Sequence, residues 1–322
     1  MFQKLFMYSE PFLSIDYYSK HACIVIQDNN SVSHEKLIYH VNIQCKYSIP
    51  IIYIDTAQVF NYMNTLLELK NKYVLITCCN DDISIPYMYD PPHSENIFHT
   101  MNIIFASPYL VKWYSKNAYM YHDKLQPLPL GPKWQWSSTK MFGEDKITHR
   151  DLFLLNCMQP EKNLLNKSLK KNLLYFNFSD TTCNNCYPFV RETEGMRQHV
   201  KTLFQSRFSW SNSEPFEKYI QTLSQYKFCL SPPGRGFDTH RTWEALMCGT
   251  IPIIKSSCMD KLFVNLPVII VNDWNIITEE FLNEEYERIM KNANEKKYMF
   301  DICYTYYWDN EFKQYHKTDF SV

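Results

Sequence analysis

Between Gly234 and Glu244 the chain gathers the residue types that hold a phosphate: Gly234, Arg235, Gly236, Thr239, His240, Arg241 and Glu244. Glycine is otherwise scarce. Gly234, Gly236 and Gly249 are three of only 6 glycines in the sequence, which marks this stretch as one where the backbone turns tightly or approaches something closely. Its order reads strand, loop, helix, turn, strand. Lys227 to Leu230 is the strand, Ser231 to Phe237 the loop, and Asp238 or Thr239 the N-cap. The helix runs to about Cys248, Gly249 ends it, and Thr250 to Ile254 forms the next strand. Such an elbow presents backbone N–H groups and the positive end of a helix dipole at the carboxyl edge of a sheet, where phosphate binds well. Arg235 and Arg241 add cationic donors. Glu244 lies one turn beyond Arg241 on the same helical face, where its carboxylate can accept two sugar hydroxyls, as from a ribose.

Other arrangements fit the segment less well. Gly234-x-Gly236-x-x-Thr239 lacks the third glycine of a dinucleotide fingerprint, and no acidic residue ends a strand about 20 residues later. No Gly-Lys-Ser/Thr follows, which excludes a P-loop. The plain structural alternative is a tight strand-to-helix connection whose Arg241 and Glu244 pair on a solvated face.

Outside the elbow, Asp81 and Asp82 follow a strand-like run, Tyr73 to Thr77, and could serve as a general base; a solvated Asn-Asp-Asp turn is the competing reading. His93 and His99 flank a polar stretch. Arg191 and Arg197 follow early strands of the second half and could reach a diphosphate. Cys183 and Cys186 form a C-x-x-C with no second pair, which reads as a loop rather than a zinc site. No two aspartates stand at i,i+2, so no Asp-x-Asp metal motif is present and no metal site is expected.

The elements that must position these groups follow an αβ pattern. Apolar, β-branched runs at 22–26, 50–54, 73–77 and 102–106 suit strands buried on both faces of a parallel sheet. Val59 to Leu69 reads as a helix, and Ser107 as the N-cap of another over 108–117. In the second half, strands are expected at 151–155, 173–178, 227–230, 251–254 and 268–271, with helices at 215–225, 241–248 and 278–297 and an aromatic tail around Tyr304 to Trp308. A proline-rich connector at 127–132 and a polar stretch at 137–148 put the domain boundary near residue 150, giving domains 1–149 and 150–322.

With 322 residues, two domains are expected. The net charge of -1 provides no whole-chain field for nucleic acid or an anionic membrane, so any anion must be met locally. The longest apolar runs are strand-sized, and the first twenty residues are broken by Glu10, Pro11 and Asp16, so neither a span nor a signal segment is expected and the chain reads as soluble and cytoplasmic. The odd count of 11 cysteines, two of them adjacent, points to reduced core residues rather than a disulfide framework.

The run Lys227-Phe228-Cys229-Leu230-Ser231-Pro232-Pro233-Gly234, followed by His240-Arg241-Thr242-Trp243-Glu244-Ala245-Leu246 and then Gly249, Ile251, Pro252 and Ile253, resembles the C-terminal signature of exostosin-like glycosyltransferases. The resemblance extends through Lys255-Ser256-Ser257 and Leu266 to Trp274, and is weaker at Tyr73 to Asp82, at Trp113 to Gly131 and at Tyr175 to Ser179. It implies a GT-B fold, with two Rossmann-like α/β domains whose parallel sheets face each other across a cleft. The first would take the acceptor and the second the nucleotide sugar, and the C-terminal tail could pack back on the first. By the same resemblance Glu244 holds the ribose, while Gly234, Arg235, Gly236, His240 and Arg241, with Arg191 and Lys255 nearby, face the diphosphate. The implied reaction is inverting and metal-independent transfer from a UDP- or GDP-sugar to a glycan or other hydroxyl, with Asp81 or Asp82 as base and no cofactor. The alternative is an inactive protein that binds sugar nucleotides or glycans, and a nicotinamide oxidoreductase is a more distant one. Cys78-Cys79 stands where a small glycine-containing turn is usual in these enzymes.

Overall fold

A computed structural model of the chain describes residues 17–27, 31–56, 58–78, 91–133, 149–179, 196–234 and 236–316, with the backbone alone at 91–98 and 149–152. The described residues of Ser14–Pro129 and Thr305–Val322 form one compact unit, and those of Leu130–Cys186 and Val190–Tyr304 form another. Both are α/β, built on all-parallel sheets of Rossmann-like character.

The sheet of the first unit has its strands in sequence order: β1 (Ile24–Ile26), β2 (Ile51–Asp55), β3 (Tyr73–Cys78), β4 (Leu110–Lys116) and β5 (Leu125–Leu128). Every residue of β2 and β3 is buried, as expected of central parallel strands covered on both faces. Helix α1 (His34–Gln44) starts on Ser33, whose hydroxyl accepts the Lys36 N–H at 3.3 Å, and buries Leu37 and Val41 one turn apart. A 3-10 turn at Val59–Tyr62 leads into α2 (Met63–Glu68), where the sequence places one helix.

Two expectations fail between residues 102 and 117. Asn102 to Ala106 is the end of α3 (Pro91–Ala106) rather than a strand, and the expected helix over 108–117 is strand β4. The burial pattern explains the first. Met101, Ile104 and Phe105 are buried while Ile103 is 43% exposed, a helical stripe that looks like a continuous apolar run when only five residues are read. The second follows from Val111, Trp113 and Tyr114, whose branched or aromatic side chains suit a pleated surface, and Trp113 pairs in register with Leu75.

The second unit holds α4 (His149–Cys157), α5 (Pro160–Leu165), β6 (Asn172–Tyr175), α6 (Met196–Phe204), α7 (Phe216–Leu223), β7 (Tyr226–Leu230), α8 (His240–Met247), β8 (Ile251–Lys255), β9 (Ile269–Val271) and α9 (Glu279–Asn294). Its sheet order is β6-β7-β8-β9. The strand expected at 151–155 is part of α4, whose Leu154 and the following Met158 are buried one helical turn apart. The aromatic tail is also helical. Helix α10 (Thr305–His316) buries Trp308, Phe312 and Tyr315 within the first unit, where Tyr114 Oη on β4 donates to Glu311 at 2.6 Å. Among the described residues no helix is long and apolar enough to cross a membrane.

Lys170 ties the second unit together from beneath the elbow. Its buried Nζ donates to Ser224 O at 2.8 Å, Cys248 O at 3.2 Å and Thr250 Oγ1 at 3.2 Å, joining the C-caps of α7 and α8. Lys170→Met leaves those acceptors without a donor and should cost about 2–4 kcal/mol in urea unfolding. Burial pulls the ammonium down to about 7, whereas an unfolded lysine titrates near ~10.4. Between those values the unfolded chain binds more protons, so the lysine's contribution to stability rises with pH. The gap between wild type and Lys170→Met should therefore widen from pH 7 to pH 9, and a gap that narrows would contradict the assignment.

Candidate functional site

The elbow is built where β7 leaves the sheet. Ser231 N–H donates to Ile253 O at 2.9 Å and extends the ladder by one step past Leu230. The buried hydroxyls of Ser231, Thr239 and Thr242 lie 2.8 to 3.2 Å from one another, which joins the exit of the strand to the entry of α8. Thr239 occupies the N-cap position with extended backbone, but its hydroxyl is committed to this cluster and makes no capping bond. Gly234 N–H donates to Gly236 O at 3.0 Å and closes the loop.

Three side chains of the elbow grip one stretch of backbone, Leu130 to Lys133. Asp238 is buried and does not cap the helix: its carboxylate accepts Trp243 Nε1–H at 2.8 Å and Leu130 N–H at 2.7 Å. His240 Nδ1 lies 2.8 Å from Gly131 O. Glu244 Oε1 accepts Lys133 N–H at 3.1 Å, while Oε2 accepts the Tyr219 hydroxyl at 2.8 Å. Gly131 has φ 75°, a turn that suits glycine and lets the segment double back over these three residues. Glu244 is buried, and each of its oxygens keeps a second lone pair beyond its one protein donor. The Tyr219 phenol is held well above its ordinary value, by burial first and the Glu244 charge second, so it remains a donor.

Arg241 sits beside this carboxylate without a conventional ion pair. Its guanidinium carbon lies 5.8 Å from the Tyr219 ring and 6.0 Å from the Tyr175 ring. Its Nη1 is buried and has no hydrogen-bond partner among the described residues. Burial alone would lower its pKa, but Tyr219, Cys229, Glu244 and Tyr175 together outweigh that and hold the group charged. A cation in the first turn of a helix also meets the positive end of the dipole. A buried, charged donor so placed is the condition that an anion would satisfy. The surface ion pair of Arg241 and Glu244 weighed from sequence is not what is observed, because Glu244 is buried and takes other donors.

A further guanidinium meets the loop. Arg197, on α6, donates from Nε to Pro233 O at 2.9 Å and from Nη1 to Ser179 O at 3.0 Å, and a Cβ added to Gly234 would lie 2.8 Å from its Nη2. Gly234 is therefore a place of close approach, with an arginine as the approaching group. Lys255 ends β8 and donates to Asn272 O. Arg235, Arg191, Asp81, Asp82, Cys183 and Cys186 lie outside the described residues; His93 is described in its backbone only, and His99 is exposed. Among the described residues no three His, Cys, Asp or Glu side chains gather as metal ligands would.

Tyr175, Tyr219 and the docked segment 130–133 escape sequence reasoning. Tyr219 is 25 residues from Glu244 and Lys133 is 111 residues away, and no local spacing signals such pairs. The prolines at 127, 129 and 132 mark a connector, but give no sign of what it touches.

No curated protein matches the chain. The family model described as RXYLT1 C-terminal domain matches residues 175–321, a span that begins at the end of β6 and takes in the whole elbow.

Proposed function

We propose that this protein transfers a sugar from a UDP- or GDP-linked donor to a hydroxyl of a glycan acceptor, with inversion and without a metal ion. The observation that carries the reading is the buried Nη1 of Arg241 in the first turn of α8, which has no hydrogen-bond partner among the described residues. The family match favours a pentose of the xylose type as the sugar. In the proposed step the acceptor oxygen attacks the anomeric carbon as the bond from that carbon to the phosphate oxygen breaks. The bonding electrons leave with the nucleoside diphosphate, and the acceptor proton passes to a carboxylate, for which Asp81 or Asp82 is proposed. Arg241, Arg235 and the N–H groups opening α8 would stabilise the charge that grows on the diphosphate, with Arg191 and Lys255 as outer donors. Glu244 would spend its remaining lone pairs on the pentose hydroxyls of the nucleoside. The two parallel-sheet units would be the acceptor and donor domains of a GT-B enzyme.

Titration calorimetry with UDP, GDP, UDP-xylose and GDP-mannose tests the donor assignment, followed by release of the nucleoside diphosphate in the presence of a panel of hydroxyl acceptors. Micromolar binding of one nucleotide series with acceptor-dependent turnover is expected. Absence of binding to any of the four would overturn the proposal, and binding without turnover would turn the protein into a sugar-nucleotide receptor.

A further inference from the structure

His240 opens α8, and its only hydrogen bond among the described residues joins Nδ1 to Gly131 O at 2.8 Å. A carbonyl oxygen only accepts, so Nδ1 carries the proton. The ring stands in the first turn of α8, next to Arg241. In the neutral form of the ring, with Nδ1 donating to Gly131 O, Nε2 is a bare lone pair, an acceptor and nothing else. His240 is only partly buried.

This chemistry selects among the parts of a donor. The linking diphosphate of a nucleotide sugar has acceptor oxygens and no proton at neutral pH, so it cannot bond to such an Nε2. A sugar hydroxyl can. We infer that His240 accepts a hydroxyl of the transferred sugar through Nε2, beside a diphosphate held by Arg241, and is a specificity residue rather than a phosphate ligand. The inference rests on the donor reading above and sharpens it.

His240→Asn separates the two roles, because the asparagine amide nitrogen can keep the bond to Gly131 while nothing remains at the Nε2 position. Calorimetry with UDP against UDP-xylose, and with GDP against GDP-mannose, reads the result. The expected outcome is unchanged affinity for the bare nucleotide and an affinity for its sugar conjugate about three- to tenfold weaker, the worth of one neutral hydrogen bond. His240→Ala, which also gives up Gly131, should show the same selective loss on top of any uniform one. Equal losses for nucleotide and conjugate, or no loss for either, would overturn the inference while leaving the donor reading standing. A wild-type protein that binds no nucleotide would overturn both.

Discussion

Arg241→Ala is expected to weaken UDP or GDP binding by at least about tenfold, since a charge-assisted hydrogen bond to a buried anion contributes about 1.5–3 kcal/mol. Stability should scarcely change. The substitution removes a cation that opposes the dipole of α8 and whose Nη1 has no partner among the described residues, and it gives up the ring contacts to Tyr175 and Tyr219 and the favourable charge beside the buried Glu244. These effects oppose each other and are each about 1 kcal/mol, so the thermal midpoint should move by only a few degrees. That combination of lost binding and kept fold is the signature of a group retained for a ligand. Arg241→Lys should rescue little, because a point charge on a flexible stem lacks the planar donor fork that a diphosphate meets. Affinity that survives Arg241→Ala would remove the central support of the proposed function, and a large drop in stability would make the arginine a structural group.

How far the sequence reveals the molecule depends on the range of the interaction that decides each feature. The elbow is legible because glycine, proline and the Arg-x-x-Glu spacing act within one turn of chain, and the structure has its strand, helix and glycine stop where that reasoning puts them. Residues 102–106 and 151–155 were illegible for a physical reason: a five-residue apolar run has the same composition on a helix as on a strand, and only the burial of Met101, Ile104 and Phe105 separates the two. Asp238 looked like an N-cap by position. Its carboxylate instead meets Leu130 N–H, 108 residues earlier in the chain, a partner that no spacing rule reaches. The same long range hid the tyrosines flanking Arg241. The site therefore reads from sequence as a list of charged groups, while their environment, the tyrosine rings around Arg241 and the Gly131 carbonyl against His240, belongs to the fold.

Gly249→Ala should cost about 4 kcal/mol or more, enough to threaten folding, since losses of that size require a named structural failure. Two failures coincide here. The residue has φ 64°, in the left-handed region, which costs an ordinary side chain about 1 kcal/mol. A Cβ would also lie 2.3 Å from Leu164 N and 2.6 Å from Asn163 C, so α5 itself would have to retreat. It cannot do so cheaply, because Cys248 O and Thr250 Oγ1 on either side of the glycine are pinned by Lys170. Gly249→Asn distinguishes the two causes. Asparagine tolerates the left-handed region but still carries a Cβ, so a collision predicts that it fails as badly as alanine, and a purely conformational penalty predicts recovery. Gly234→Ala is the contrasting case, because its Cβ would meet only the tip of Arg197 at 2.8 Å. A side-chain tip gives way more easily than backbone, so even with the Arg197 bonds to Pro233 O and Ser179 O disturbed, stability should fall by only about 1 kcal/mol. Urea unfolding of the three variants reads the comparison directly. If Gly249→Ala lost no more stability than Gly234→Ala, the rigid seating of α8, on which the placement of Arg241 and Glu244 depends, would be disproved.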